Sequence, residues 1–324
     1  HVNAPSIVIW SLGNEAGPGE NFVAAYQAIK AFDTSRPVQY ERNNDIVDMG
    51  SNQYPSVDWV RGAVKGKYAI KYPFHISEYA HSMGNAVGNL QDYWDAIEST
   101  NFFCGAAIWD WVDQSLYYYD KQTGTRYMAY GGDFGDKPNS GMFCMNGILF
   151  PDHSPKPQYY EVKKVMQDVG VKAVDMERGI VEIFNKRYFT DLGNLDVRWA
   201  LYEDGKEIAD GMLEPGEIAA RQSKQVTVPY ISEKQKENSE YFLKIEFLLN
   251  RDEPWAEKGY VQMEEQLAVK EPAPKPALVS LADGNPLKIS EEQNCTVVSG
   301  SNFQVRFDHQ NGSIHSLKYG DQTI

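Results

Sequence analysis

The sequence predicts a multidomain chain of α/β plus all-β type: parallel strands alternating with helices up to about residue 170, then segments made of strands alone. Three observations predict it. Short apolar runs alternate with stretches of helical spacing before residue 170. Beyond it the apolar period becomes two, with no helix between runs. A stiff stretch, Glu271-Pro272-Ala273-Pro274-Lys275-Pro276, then reads as a linker to a last β segment. The 324 residues allow two or three domains, with boundaries expected at 1–168, 169–270 and 271–324.

The elements follow in order. Residues 6–12 form a β-rich run ending at Gly13-Asn14-Glu15. Phe22, Val23, Tyr26, Ile29 and Phe32 then recur at helical spacing. Residues 37–41 and 47–52 read as the next strands, and 74–78 as a fourth. Leu90, Tyr93, Trp94 and Ile97 mark another helix, and residues 105–110 a fifth strand. A helix over 158–166 follows Pro155 and Pro157, because proline is tolerated at a helix start. Five such strands make either an open sheet or the second part of an eight-stranded barrel whose first three strands precede His1.

In the all-β part, Leu195, Val197, Trp199 and Leu201 alternate with Asp196, Arg198, Ala200 and Tyr202. Glu203-Asp204-Gly205 is a turn signal. Tyr241, Leu243, Ile245, Phe247 and Leu249 form another alternating set, and 260–269 a weaker one. Closely spaced strands without helices predict a β-sandwich. Residues 295–298, 303–307 and 313–319 read as strands too few to build a core by themselves.

Composition narrows the function. Apolar residues make up 42% and charged residues 23%, which supports a packed core. A net charge of −14 argues against nucleic acid or an anionic membrane as partner. No apolar run approaches the length of a membrane helix. Cys104, Cys144 and Cys295 lie far apart and are odd in number, so neither a disulfide framework nor a metal spacing is read from them. No signal peptide is visible, yet the chain opens on His1 rather than Met, and both cytoplasm and periplasm stay open. Aromatic residues reach 13%, a richness shared by sugar-binding clefts and by sandwich cores.

Two acids carry the chemical reading. Glu15 follows an apolar run and a Gly13 turn, and Glu78 ends Phe74-His75-Ile76-Ser77-Glu78. An acid at the carboxyl end of a buried parallel strand points into a barrel mouth. Two such acids facing one cavity can protonate a leaving group and attack a sugar carbon. Glu15 suits the acid if partial burial or a nearby charge raises its pKa, and Asn14 could bind the neighbouring hydroxyl. Away from a strand end, an Asn-Glu pair is an ordinary surface loop and a lone histidine such as His81 is usually structural. Trp109, with Asp110 beside it, offers a face to a sugar ring, where a core tryptophan pair is the alternative. The loops at 130–136 and 143–147 carry glycines and carbonyls of the kind that ligate hard cations.

Four ordered strings together resemble the large multidomain bacterial β-galactosidases of the second glycoside hydrolase family. They are Ile9-Trp10-Ser11-Leu12-Gly13-Asn14-Glu15, Ser77-Glu78-Tyr79-Ala80-His81-Ser82-Met83-Gly84-Asn85, Trp109-Asp110-Trp111-Val112-Asp113-Gln114-Ser115 and Tyr130-Gly131-Gly132-Asp133-Phe134-Gly135-Asp136. The resemblance implies the last five strands of a (β/α)8 TIM barrel, then an immunoglobulin-like sandwich and the start of a further β-sandwich. It implies Glu15 as acid/base and magnesium ligand and Glu78 as nucleophile, with Tyr54 beside the nucleophile. Asn14 and His81 would bind galactose hydroxyls and Trp109 would floor the sugar, while the Phe143 carbonyl and Asn146 side chain would ligate sodium. The remaining Mg2+ and Na+ ligands fall outside this chain, so it resembles a fragment of a homo-oligomeric enzyme acting on a β-galactoside. Alone, the fragment is expected to be inactive and poorly soluble unless it associates. Two rivals remain: a β-glucuronidase, for which Arg42 is the basic residue near a strand end, and a carbohydrate-binding module without turnover.

Overall fold

The computed structural model describes residues 2–230, 235–236, 238–270 and 286–324. They form two compact units, residues 2–230 with 242–269, and the described residues of 235–241 with 270 and 286–324.

The first unit opens with β1 (Trp10–Ser11), α1 (Glu20–Phe32) and β2 (Val38–Gln39), and β1 pairs with β2 in parallel. Then come β3 (Gly50–Gln53), α2 (Val57–Val64), β4 (Phe74–Tyr79), α3 (Leu90–Glu98) and β5 (Phe103–Ile108). β3, β4 and β5 form a parallel sheet in that order. The Val38 carbonyl accepts the Asp48 N–H at 3.1 Å, which sets β2 beside the approach to β3.

Periodicity explains the packing. Phe22, Tyr26 and Ile29 of α1 cover Val38, Tyr40 and Val47, and Phe22 stacks on Tyr40 at 4.3 Å. A second core joins Val60 and Ala63 of α2, Phe74, Ile76 and Tyr79 of β4, and Leu90 and Ile97 of α3. Its alternating strand residues face helices, as parallel strands require.

The expected strand over residues 6–12 is a correction: only Trp10–Ser11 is extended in a ladder, and Val8 is 67% exposed. Among the described residues β1 pairs with β2 alone. α2 has no counterpart among the predicted helices. Its signal is local, since the Ser56 hydroxyl caps it by accepting the Trp59 N–H at 3.1 Å. A tyrosine-rich hairpin, β6 (Leu116–Tyr119) with β7 (Arg126–Ala129), also went unpredicted. The Asp120 carboxylate organises its turn by accepting the Gln122 and Thr123 N–H groups. α4 (Pro157–Val165) starts on its proline.

Seven strands follow: β8 (Val169–Asp175), β9 (Ile180–Asn185), β10 (Leu195–Glu203), β11 (Lys206–Leu213), β12 (Ser223–Thr227), β13 (Tyr241–Leu249) and β14 (Val261–Lys270). They form two sheets, ordered β12-β9-β8 and β11-β10-β13-β14. The predicted inward sets, Leu195 to Leu201 and Leu243 to Leu249, are buried, and the turn at Asp204 and Gly205 uses positive φ values of 47° and 79°. Lys186 with Glu98 at 2.6 Å, and Lys164 with Glu265 at 2.9 Å, tie these strands to the β/α half.

In the second unit, β15 (Lys288–Glu292), β16 (Cys295–Ser299), β17 (Phe303–Asp308), β18 (Ser313–Tyr319) and β19 (Gln322–Thr323) form one antiparallel meander. Val297 is its one buried strand residue among those described. The predicted linker at 271–276 lies outside the described residues.

Candidate active site

Each parallel strand ends in polar or aromatic residues: Asn14 and Glu15 after β1, Glu41 and Arg42 after β2, Tyr54 after β3, Glu78 near the end of β4, and Trp109 and Asp110 after β5. Their contacts join these ends into one edge. Gln53 donates to the Asn14 side-chain oxygen at 3.2 Å, and the Glu15 N–H donates to Glu41 at 2.8 Å. The Tyr54 N–H donates to the Glu78 carbonyl at 2.7 Å.

Tyr54 is the electrostatic centre. Partial burial and the neighbouring Glu78 carboxylate push its pKa well above the ordinary tyrosine value, and the charges of Glu15 and Asp110 push the same way. One phenol therefore feels three carboxylates from three strand ends. Glu15, Tyr54 and Ala80 all hold left-handed backbone, with φ of 51°, 48° and 49°. Each such position costs on the order of 1–3 kcal/mol, and they cluster where a site is held in place by its surroundings.

A second wall adjoins this edge. The His81 ring lies 6.2 Å from Tyr54 and 5.5 Å from Phe143, and its Nε2 is buried without a hydrogen-bond partner among the described residues. Trp109 is locked against β4, its N–H donating to the Tyr79 carbonyl at 3.1 Å and its carbonyl accepting the Ser82 N–H at 2.8 Å. The Trp109 indole donates to the Asn146 side-chain oxygen at 3.1 Å, while the Asn146 amide donates to the Cys144 carbonyl. A cavity of about 370 Å³ is lined by Trp109, Gln114, Asn139, Phe143 and Asn146. Behind it, the buried Asp113 carboxylate accepts from Lys156 at 2.6 Å and from the Gly147 N–H at 2.8 Å.

The predicted residues thus fall into two linked groups: Asn14, Glu15, Tyr54 and Glu78 on the strand edge, and His81, Trp109, Phe143 and Asn146 on the wall. Glu15 is exposed, so the burial that the sequence argument invoked for it is not supplied by the described residues. Glu41 and Gln53 were missed. The signal for Glu41 was present, because residues 37–41 also end a strand on an acid.

The described residues do not complete a cation site. No three His, Cys, Asp or Glu side chains among them converge on a metal position. One lone pair of the Asn146 oxygen is taken by Trp109, and a hard cation takes six or more oxygens.

The profile of the glycosyl hydrolases family 2 TIM barrel domain matches residues 1–171, and that of β-galactosidase domain 4 matches residues 181–270. The chain belongs to glycosyl hydrolase family 2. It is 37% identical to a β-galactosidase of Priestia megaterium over 322 residues, covering 98% of this chain and 31% of that protein. It is 38% identical to a β-galactosidase of Psychromonas ingrahamii over 333 residues, covering 96% of this chain and 32% of that protein. The chain therefore spans about a third of the length of these relatives. A solved β-glucuronidase of Parabacteroides merdae aligns with 97% of this chain and 41% of its own at 14% identity and a TM-score of 0.39, too slight a likeness to bear on substrate.

Proposed function

We propose that the protein is a retaining β-galactosidase acting on terminal β-D-galactosides such as lactose. The carrying observation is the strand edge that joins the two acids: the Tyr54 N–H donates to the Glu78 carbonyl at 2.7 Å, and Gln53, the register partner of Glu78, donates to Asn14 beside Glu15 at 3.2 Å. Relatives named β-galactosidase support the sugar. Glu78 attacks the anomeric carbon while Glu15 protonates the departing oxygen. Water then breaks the galactosyl-enzyme bond with Glu15 as base. The Tyr54 hydroxyl steers the Glu78 carboxylate. Asn14 and the His81 nitrogen, which has no partner among the described residues, bind galactose hydroxyls, and Trp109 lies beneath the ring.

In the same reading, residues 1–168 are the last five strands of a (β/α)8 barrel, 169–270 an immunoglobulin-like sandwich and 271–324 the start of a further sandwich. Glu15 is one magnesium ligand, and the Phe143 carbonyl and Asn146 side chain are two sodium ligands. The other ligands come from outside the described residues. The whole enzyme is a homo-oligomer that binds no nucleic acid.

The rival sugar, a glucuronide, needs a free cation. Arg42 is engaged, donating to Gln53 at 3.2 Å with Glu41 3.7 Å away. The test is Glu78→Gln in the full-length protein, with a panel of nitrophenyl glycosides. A fall of orders of magnitude on the galactoside is expected. Near-normal turnover by the variant, or wild-type preference for the glucuronide, refutes the reading.

A further inference from the structure

We propose that Glu41 is a positioning residue for Glu15, an inference that rests on the acid/base role given to Glu15 above. The Glu41 side chain is 2% exposed. Its Oε1 accepts the Glu15 N–H at 2.8 Å, and its Oε2 is buried with no hydrogen-bond partner among the described residues. Arg42 Nε lies 3.7 Å from Oε1, Arg42 Nη2 donates to Gln53 at 3.2 Å, and Gln53 donates to Asn14 at 3.2 Å. Glu41, Arg42, Gln53, Asn14 and Glu15 thus close a ring that grips the turn after β1 from two neighbouring strand ends.

Two physical facts make this ring more than packing. Glu15 sits at φ 51°, a region a side-chain-bearing residue leaves unless its surroundings hold it. The group holding it is a buried carboxylate with one oxygen unused. For stability alone such a carboxylate is a poor choice, since a well-packed apolar side chain at that place does as well or better. Its presence is accounted for by the fixed acceptor it offers to the Glu15 peptide. Without that acceptor the peptide rotates and the Glu15 carboxyl leaves the departing oxygen, while attack by Glu78 is untouched.

The consequence is a leaving-group signature. Dinitrophenolate departs without a proton, whereas methanol needs one. Measured as kcat/KM, which reports steps only through formation of the glycosyl-enzyme, Glu41→Leu in the full-length protein should lower methyl β-galactoside cleavage about 30-fold or more. Dinitrophenyl β-galactoside cleavage should change less than about threefold, which also shows the variant to be folded. Glu41→Gln retains an acceptor oxygen and should restore most of the methyl galactoside rate. Glu41→Met replaces the leucine variant if that one fails to fold. Equal losses on both substrates, or no loss on either, overturn the proposal. Glu15→Gln is the control: if it is selective and Glu41→Leu is not, the positioning role alone falls. If Glu15→Gln is itself unselective, both the acid assignment and this proposal fall.

Discussion

Tyr54 is tied to Glu78 from the neighbouring strand. Its backbone N–H binds the Glu78 carbonyl at 2.7 Å, and its phenol lies in the field of the Glu78 carboxylate. Adjacent strands β3 and β4 bring the two together, since Gln53 and Glu78 are register partners.

Tyr54→Phe removes the phenol donor and keeps the ring. Loss of one fixed donor to a charge that changes during reaction costs about 100- to 1,000-fold in turnover. Because the Tyr54 pKa is raised, the phenol stays protonated through pH 9, so any alkaline fall in activity below that pH arises elsewhere. Steady-state kinetics of both forms from pH 5 to 9 check both statements.

Asp33 anchors β1 and should make the protein acid-sensitive. It accepts from the Ser35 hydroxyl at 2.6 Å, the Trp10 indole at 2.8 Å and Arg36 at 2.7 Å. These bonds, Ser35 foremost, hold its pKa far below the usual carboxylate range. A depressed carboxylate stabilises fully above its unfolded value of about 3.9 and loses that contribution as pH falls through the folded value. Asp33→Asn should therefore melt below wild type at pH 7, with the gap narrowing below about pH 4. Paired thermal melts at the two pH values decide it.

Asp113→Ala leaves Lys156 buried without its counter-charge; the two side chains are 0% and 11% exposed. The expected cost is about 3–5 kcal/mol, and adding Lys156→Met should recover much of it. Denaturant unfolding of the four members of the cycle measures the coupling.

Gly147→Ala places a Cβ 2.2 Å from the Asp113 nitrogen and the Val112 carbonyl carbon. Backbone must move, at about 1–3 kcal/mol, and the move displaces Asn146 from Trp109. Reduced stability together with reduced indole protection in hydrogen exchange is the expected pair of results.

Much of the β/α half was legible because its strands carry apolar residues that pack on helices and its helices carry apolar stripes. Pro157 and Ser56 also state helix starts locally. The strand at residues 6–12 was misread because an apolar run forms a strand only over the length its partner covers, and β2 pairs with Trp10 and Ser11 alone among the described residues. β8 and β12 escaped notice because short, mostly exposed strands alternate weakly. β15 escaped because Lys288-Ile289-Ser290-Glu291-Glu292 has almost no apolar side to read.

The order of elements, the change of period near residue 170 and the two strand-end glutamates were set by side-chain chemistry along the chain, which local spacing reports. Which residues meet across strands was decided only in three dimensions. Glu41 reaches the Glu15 peptide over 26 positions of sequence, and Tyr54 reaches Glu78 through a ladder register. Such contacts depend on parallel strands being aligned by their connecting helices, and nothing within a single segment encodes that alignment.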